Sequence, residues 1–319
     1  MLEKRLQSRN FFKLVCGAGN EDAEAVKRLV YIYALAGCKV FDISARKDIL
    51  EAAKEGARLA EVEDVHFCVS VGIKGDPHIS KARVNGGSCI LCGNCVRNCI
   101  NGAVCSAGMI DEKKCIGCGA CAKKCPTGAI TMYDKDVNVR TVLPELMQNG
   151  VEILELHIMG HDKKDLETKW QVINECNPKF ASICIDRENF GNKEVLERIK
   201  EMISYRAPYT TIIQADGIPM SGCDDNYKTT LQAVAMAEII QNANLPVYIV
   251  VSGGTNSKTA ELCKLCDIKV HGVAIGSWAR KIVKPYIETQ DFWKNKIAQQ
   301  NAVDLARNLL RSNLFNSIS

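Results

Sequence analysis

Cys89-Ile-Leu-Cys92-Gly-Asn-Cys95-Val-Arg-Asn-Cys99 and Cys115-Ile-Gly-Cys118-Gly-Ala-Cys121-Ala-Lys-Lys-Cys125-Pro126 are two copies of one pattern, C-x2-C-x2-C-x3-C. This is the bacterial ferredoxin spacing, in which the fourth cysteine of each run serves the other run's cluster. The expected ligand sets are therefore Cys89, Cys92, Cys95 and Cys125 for one [4Fe-4S] cluster, and Cys115, Cys118, Cys121 and Cys99 for the other. Thiolates two residues apart wrap one corner of a cube, and backbone N–H groups of such a loop face its sulfides. Gly93, Gly117 and Gly119 suit the backbone conformations that this needs. A pair of zinc knuckles also uses paired cysteines, but the doubled pattern closed by Cys-Pro is that of the ferredoxins. Ile100 replaces the usual proline of the first run, and Cys105 is an alternative to Cys99 as a ligand. Thr127-Gly-Ala-Ile130 reads as a short strand after the second run.

The 319 residues carry a net charge of +4 with no run of five or more like charges, so composition gives no reason to expect a nucleic-acid partner. The other nine of the 17 cysteines stand singly in apolar segments. Cys16, Cys38, Cys68, Cys176 and Cys184 read as small core residues, which fits a reducing cytoplasm. The charged N-terminus lacks the apolar stretch of a signal peptide, and no run is long enough to span a membrane. Cys263-Lys-Leu-Cys266 falls inside an expected helix and reads as two core thiols rather than a redox pair.

Outside the cysteine runs the chain alternates between apolar strands and amphipathic helices. Expected strands lie at 12–17, 39–44, 65–71, 151–157, 180–186, 209–215, 247–252 and 270–276. Expected helices lie at 21–36, 47–60, 139–148, 164–175, 193–205, 225–242 and 257–266, with a helical tail from Arg280. Eight alternations over about 260 residues outside the insert predict a (β/α)8 TIM-like barrel. An open doubly wound sheet is the competitor, but Cys16-Gly-Ala-Gly-Asn20 is too short for its glycine fingerprint. The organisation expected is residues 1–78 as the first part of the barrel, 79–134 as a ferredoxin-type insert after strand three, and 135–319 as the rest.

Barrel sites form at the C-terminal ends of strands, so the insert should hang over the catalytic face. Strand parity places Asp42 with Ser44, Glu155 with His157, Ser182 with Cys184 and Asp186, and Gln214 with Asp216. Asp42, His157, Asp186, Gln214 and Asp216 are candidate ligand contacts; capping and mutual pairing are the plainer roles for each. Gly253, Gly254, Gly276 and Ser277 follow the last two strands, where this fold binds phosphates, flavin mononucleotide (FMN) included.

Phe11-Phe-Lys-Leu-Val-Cys-Gly-Ala18 and Leu35-Ala-Gly-Cys-Lys-Val-Phe-Asp42 resemble the start of the light-dependent period (LdpA) family. Gln214-Ala-Asp-Gly-Ile-Pro-Met-Ser-Gly222, Ser252-Gly-Gly-Thr-Asn256 and Gly272-Val-Ala-Ile-Gly-Ser-Trp-Ala-Arg280 resemble its C-terminal region. The resemblance implies two [4Fe-4S] clusters and a redox-sensing role that passes light or quinone status to a circadian clock, with no established catalytic reaction. The partner is then a redox protein or a small electron carrier such as a quinone. The alternative function is an oxidoreductase that holds FMN or another phosphate-bearing ligand and uses the insert as its electron relay.

Overall fold

The computed structural model describes residues 1–17, 19–186, 190–217 and 224–315. Eight parallel strands close into a barrel in the order of the chain. They are β1 (Phe11–Val15), β2 (Val40–Ser44), β3 (His66–Gly72), β4 (Val151–His157), β5 (Phe180–Ile185), β6 (Thr211–Asp216), β7 (Tyr248–Ser252) and β8 (Gly272–Ile275). Closure is made by β1 against β8, with Phe11 opposite Gly272. That glycine is obligatory: a Cβ there would lie 2.1 Å from the Phe11 carbonyl oxygen. Helices wrap the outside, and their apolar stripes meet the outward side chains of the strands in one large core. Among the described residues, no helix is long and apolar enough to cross a membrane.

The ferredoxin-like segment leaves after β3, as expected. Its antiparallel pair, Ser80–Val84 with Ile130–Asp134, brings both ends of the segment back to one place. The second of these strands starts at Ile130, and Pro126 and Thr127 form a turn, so the stretch from Thr127 to Ala129 is not a strand. Buried Lys169 binds the exit and the return together. Its ammonium donates to the Gly72 carbonyl at 2.7 Å and to Asp136 at 2.8 Å.

One helix was missed and three expectations need correction. Leu2–Gln7 is a helix, unforeseen because its middle is charged. Leu2 and Leu6, one turn apart, pack with Phe11, Val40, Ile153 and Phe180 and plug the N-terminal end of the barrel. The tail is two helices, Ser277–Ile287 and Lys296–Ser312. Cys266 caps its helix and is exposed, whereas Cys263 is in the core. Cys176 is half-buried, because it caps the helix Lys163–Glu175 at the surface.

Candidate iron–sulfur segment and barrel mouth

The two cysteine runs have the same backbone. Gly117 and Gly119 take φ of 75° and 70°, and Leu91 and Gly93, at the same places in the first run, take 56° and 73°. Each loop then enters one turn of helix, Asn94–Arg97 or Ala120–Lys123. Leu91 in the left-handed region costs of the order of 1–2 kcal/mol, a strain that persists where a loop must present donors to a bound group. A Cβ on Gly117 would strike the Ser80 carbonyl oxygen at 2.3 Å.

Cys89, Cys92, Cys95 and Cys125 line one cavity, with Val84 and Ile130 on its walls. Burial raises the Cys121 thiol pKa to about 11, and Cys115, Cys118 and Cys99 are close enough to add to the shift. The fourth cysteine of each run therefore sits with the other run's first three. Amide N–H groups of Ala82 and Ala103 donate to the sulfurs of Cys115 (3.4 Å) and Cys99 (3.2 Å). Cys105 is exposed, and its thiol donates to the Ala103 carbonyl. A soft, all-thiolate donor set in a cavity with apolar walls fits an iron–sulfur cluster.

The second run lies against the barrel. Lys81, 2% exposed, donates to the carbonyls of Cys115 (2.7 Å), Glu112 (2.9 Å) and, on the loop after β1, Gly19 (2.6 Å). Glu21 of that loop is 3.2 Å from the same ammonium, and its N–H donates to the Lys113 carbonyl at 2.8 Å. On the other side, Lys284 reaches the Ile100 carbonyl at 2.6 Å.

Beneath the segment, the barrel interior holds a buried charged layer. Lys13 of β1 is 2.6 Å from Glu155 of β4 and 3.5 Å from Asp42 of β2. Glu155 also accepts from Ser182 (2.6 Å), Ser70 (3.3 Å) and Gln214 (3.2 Å) and lies 3.1 Å from His157 Nε2. Burial opposes each charge. It is outweighed at Lys13 by Asp42, Cys68 and Glu155, which hold the ammonium pKa well up. At Glu155 it is outweighed by Lys13 and His157, which hold the carboxyl well down. At His157 the bond and charge of Glu155 win, and the imidazole pKa rises to about 9. At Asp42 burial prevails and raises the carboxyl pKa.

Of the candidate ligand residues, Asp42, His157, Gln214 and Asp216 thus converge in the interior, with Asp216 linked through Cys184 Sγ at 3.6 Å. Asp186 is buried just beyond β5. Lys13 and Ser70 were not foreseen; a lysine inside an otherwise apolar strand was the available signal. Gly253 and Gly254 have φ of 68° and 74°, and a Cβ on them would strike Asp216 at 1.9 Å and the Thr229 carbonyl at 2.1 Å. Close packing within the chain already requires these glycines. Gly276 and Ser277 open the last barrel helix, beside Arg280, whose guanidinium donates to the Val15 carbonyl at 2.7 Å. The stretch 218–222 of the quoted motif lies outside the described residues.

Residues 145–314 match the family of the Light dependent period A C-terminal domain. Residues 109–131, which include the second cysteine run, match the 4Fe-4S binding domain family. The Light dependent period A protein of Synechococcus elongatus is 30% identical over 305 residues, 89% of this chain and 85% of that protein. Among solved structures, the tryptophan synthase alpha chain of Legionella pneumophila has a TM-score of 0.50 at 9% identity, covering 100% of this chain and 98% of that one. The last likeness concerns the barrel fold alone.

Proposed function

This chain belongs to the light dependent period A family, and on that premise we propose that it is a cytoplasmic redox sensor with two clusters. It is an iron–sulfur protein. In this reading Cys89, Cys92, Cys95 and Cys125 hold one [4Fe-4S] cluster, and Cys115, Cys118, Cys121 and Cys99 hold the other. The matched left-handed loops and the sulfur-directed amides support that division. Such clusters supply one-electron redox chemistry when bound.

The observation that carries the sensing role is Lys81. One buried ammonium ties the carbonyl of the ligand Cys115 to that of Gly19 at the barrel mouth. A shift of the cysteine loop therefore draws on the loop after β1 through Lys81 and Glu21. A redox protein or a small electron carrier such as a quinone would meet the first run, where Cys92 is exposed. The test is limited proteolysis of anaerobic protein poised oxidised or reduced. Different cutting near residues 17–21 supports sensing, and identical digests in both states count against it.

A second reading, an oxidoreductase, draws support from the charged layer under the segment. An FMN or other phosphate-bearing ligand would use Gly276, Ser277 and the Arg280 cation. Protein that releases no flavin and retains none when FMN is added speaks against that version.

A further inference from the structure

We propose that Glu155, His157 and Cys184 form a mononuclear site for a divalent transition metal inside the barrel, separate from the cysteine runs. The carboxylate, imidazole and thiol donor atoms lie within 4.8 Å of one another, and all three residues are buried. They stand at the C-terminal ends of neighbouring strands, with His157 directly opposite Cys184. This is the end of the barrel where the fold places its chemistry.

Glu155 divides its two oxygens between tasks. Oε2 is held at 2.6 Å by Lys13 and at 2.6 Å by Ser182. Oε1 has only longer neighbours, at 3.1 to 3.3 Å, and faces His157 Nε2. The Lys13 and Ser182 bonds orient the carboxylate as an outer shell orients a metal ligand. Gln214 Nε2 stands 3.2 Å from both Glu155 Oε1 and Cys184 Sγ, while its buried Oε1 has no hydrogen-bond partner among the described residues. Exchange of the two amide atoms turns that orphan oxygen to the same point as a fourth donor.

The donor set selects the ion. Thiolate with imidazole disfavours magnesium and calcium and suits Zn2+ or Fe2+. Glu155, His157 and Cys184 alone leave a coordination position for water, the arrangement of catalytic sites, whereas Gln214 as the fourth ligand closes it, the arrangement of structural ones. Binding displaces two protons to solvent, that of the Cys184 thiol and that of the His157 imidazolium. A dication that replaces these two protons leaves the net charge of the layer unchanged, beside the buried residues Asp42, Glu155 and Asp216.

The probe is Zn2+. Anaerobic holo-protein is incubated with it and desalted, and zinc and iron are counted per chain. About one zinc should be retained with iron unchanged. Cys184→Ser and His157→Gln should lower retained zinc at least tenfold while iron stays. X-ray absorption of the zinc-loaded wild type needs no variant. It should show one sulfur at about 2.3 Å with nitrogen and oxygen at about 2.0–2.1 Å. Failure of the wild type to retain zinc, retention by both variants equal to that of the wild type, or a shell of four sulfurs would overturn the site. Because iron is counted separately, the proposed clusters stand or fall independently.

Discussion

Lys13 and Glu155 meet at 2.6 Å across the inside of the barrel, an ammonium on β1 against a carboxylate on β4, both closed off from solvent. Their strands are not neighbours, so this pair ties opposite sides of the barrel wall. Breaking a buried pair by removing one partner costs about 3–5 kcal/mol, because the other charge stays buried and uncompensated. Lys13→Met should therefore destabilise the protein by roughly that amount in denaturant unfolding. Lys13→Met with Glu155→Leu should recover part of the loss. A single variant as stable as the double would show that the pair does not brace the barrel.

The ligand division predicts iron content. Cys118→Ala and Cys99→Ala should each lose about half of the iron, one cluster of two. Cys105→Ala and Cys263→Ala should retain it, since Cys105 points to the Ala103 carbonyl and Cys263 lies in the barrel core. Iron and sulfide assays on anaerobic protein decide this. Loss in Cys105→Ala with none in Cys99→Ala would reassign the fourth ligand.

Lys81→Met removes a charged donor from three carbonyls at once. Hydrogen bonds to a charged group contribute about 1.5–3 kcal/mol. Local opening at the junction should become roughly 10- to 150-fold easier, with faster amide exchange at Glu21 and Ala82 and little change in the barrel strands. Exchange that stays the same would show that the segment is held by its other attachments, Lys284 and Lys169.

Cys263 and Cys266 should differ in reactivity. Burial pushes the Cys263 thiol up to about 12, so at pH 8 only about one molecule in 10,000 carries the thiolate that reacts. Cys266 is exposed. Iodoacetamide at pH 8 followed by peptide mass spectrometry should label Cys266 and spare Cys263. Labelling of Cys263 should rise as pH approaches 12. Rapid formation of a disulfide between the two would restore the redox reading of that motif.

The barrel was legible because its signal is local: apolar runs, helical periodicity and glycine punctuation recur through the chain. The two cysteine runs were legible for the same reason, since the first three cysteines of each fall within seven residues. The helix Leu2–Gln7 was hidden because it is short and its two leucines find partners in strands far along the chain. Parity nominated His157, Gln214 and Asp42, because it is a property of one strand at a time. Lys13 needed knowledge of which strand lies across the barrel from β1, and spacing along the chain does not carry that. The glycines after β7 carry two readings at once. The motif suggested an anion, while the packing of Gly253 on Asp216 and Gly254 on Thr229 already requires them.

With its base stoppered by Leu2 and Leu6, the barrel is a cup rather than a tube. The charged layer lies above that stopper. A proton or small molecule that reaches Glu155 or His157 enters and leaves by one door. Over that door Lys81 and Lys284 fasten the cysteine-rich segment, so, under the proposed function, access and electron supply share a single threshold.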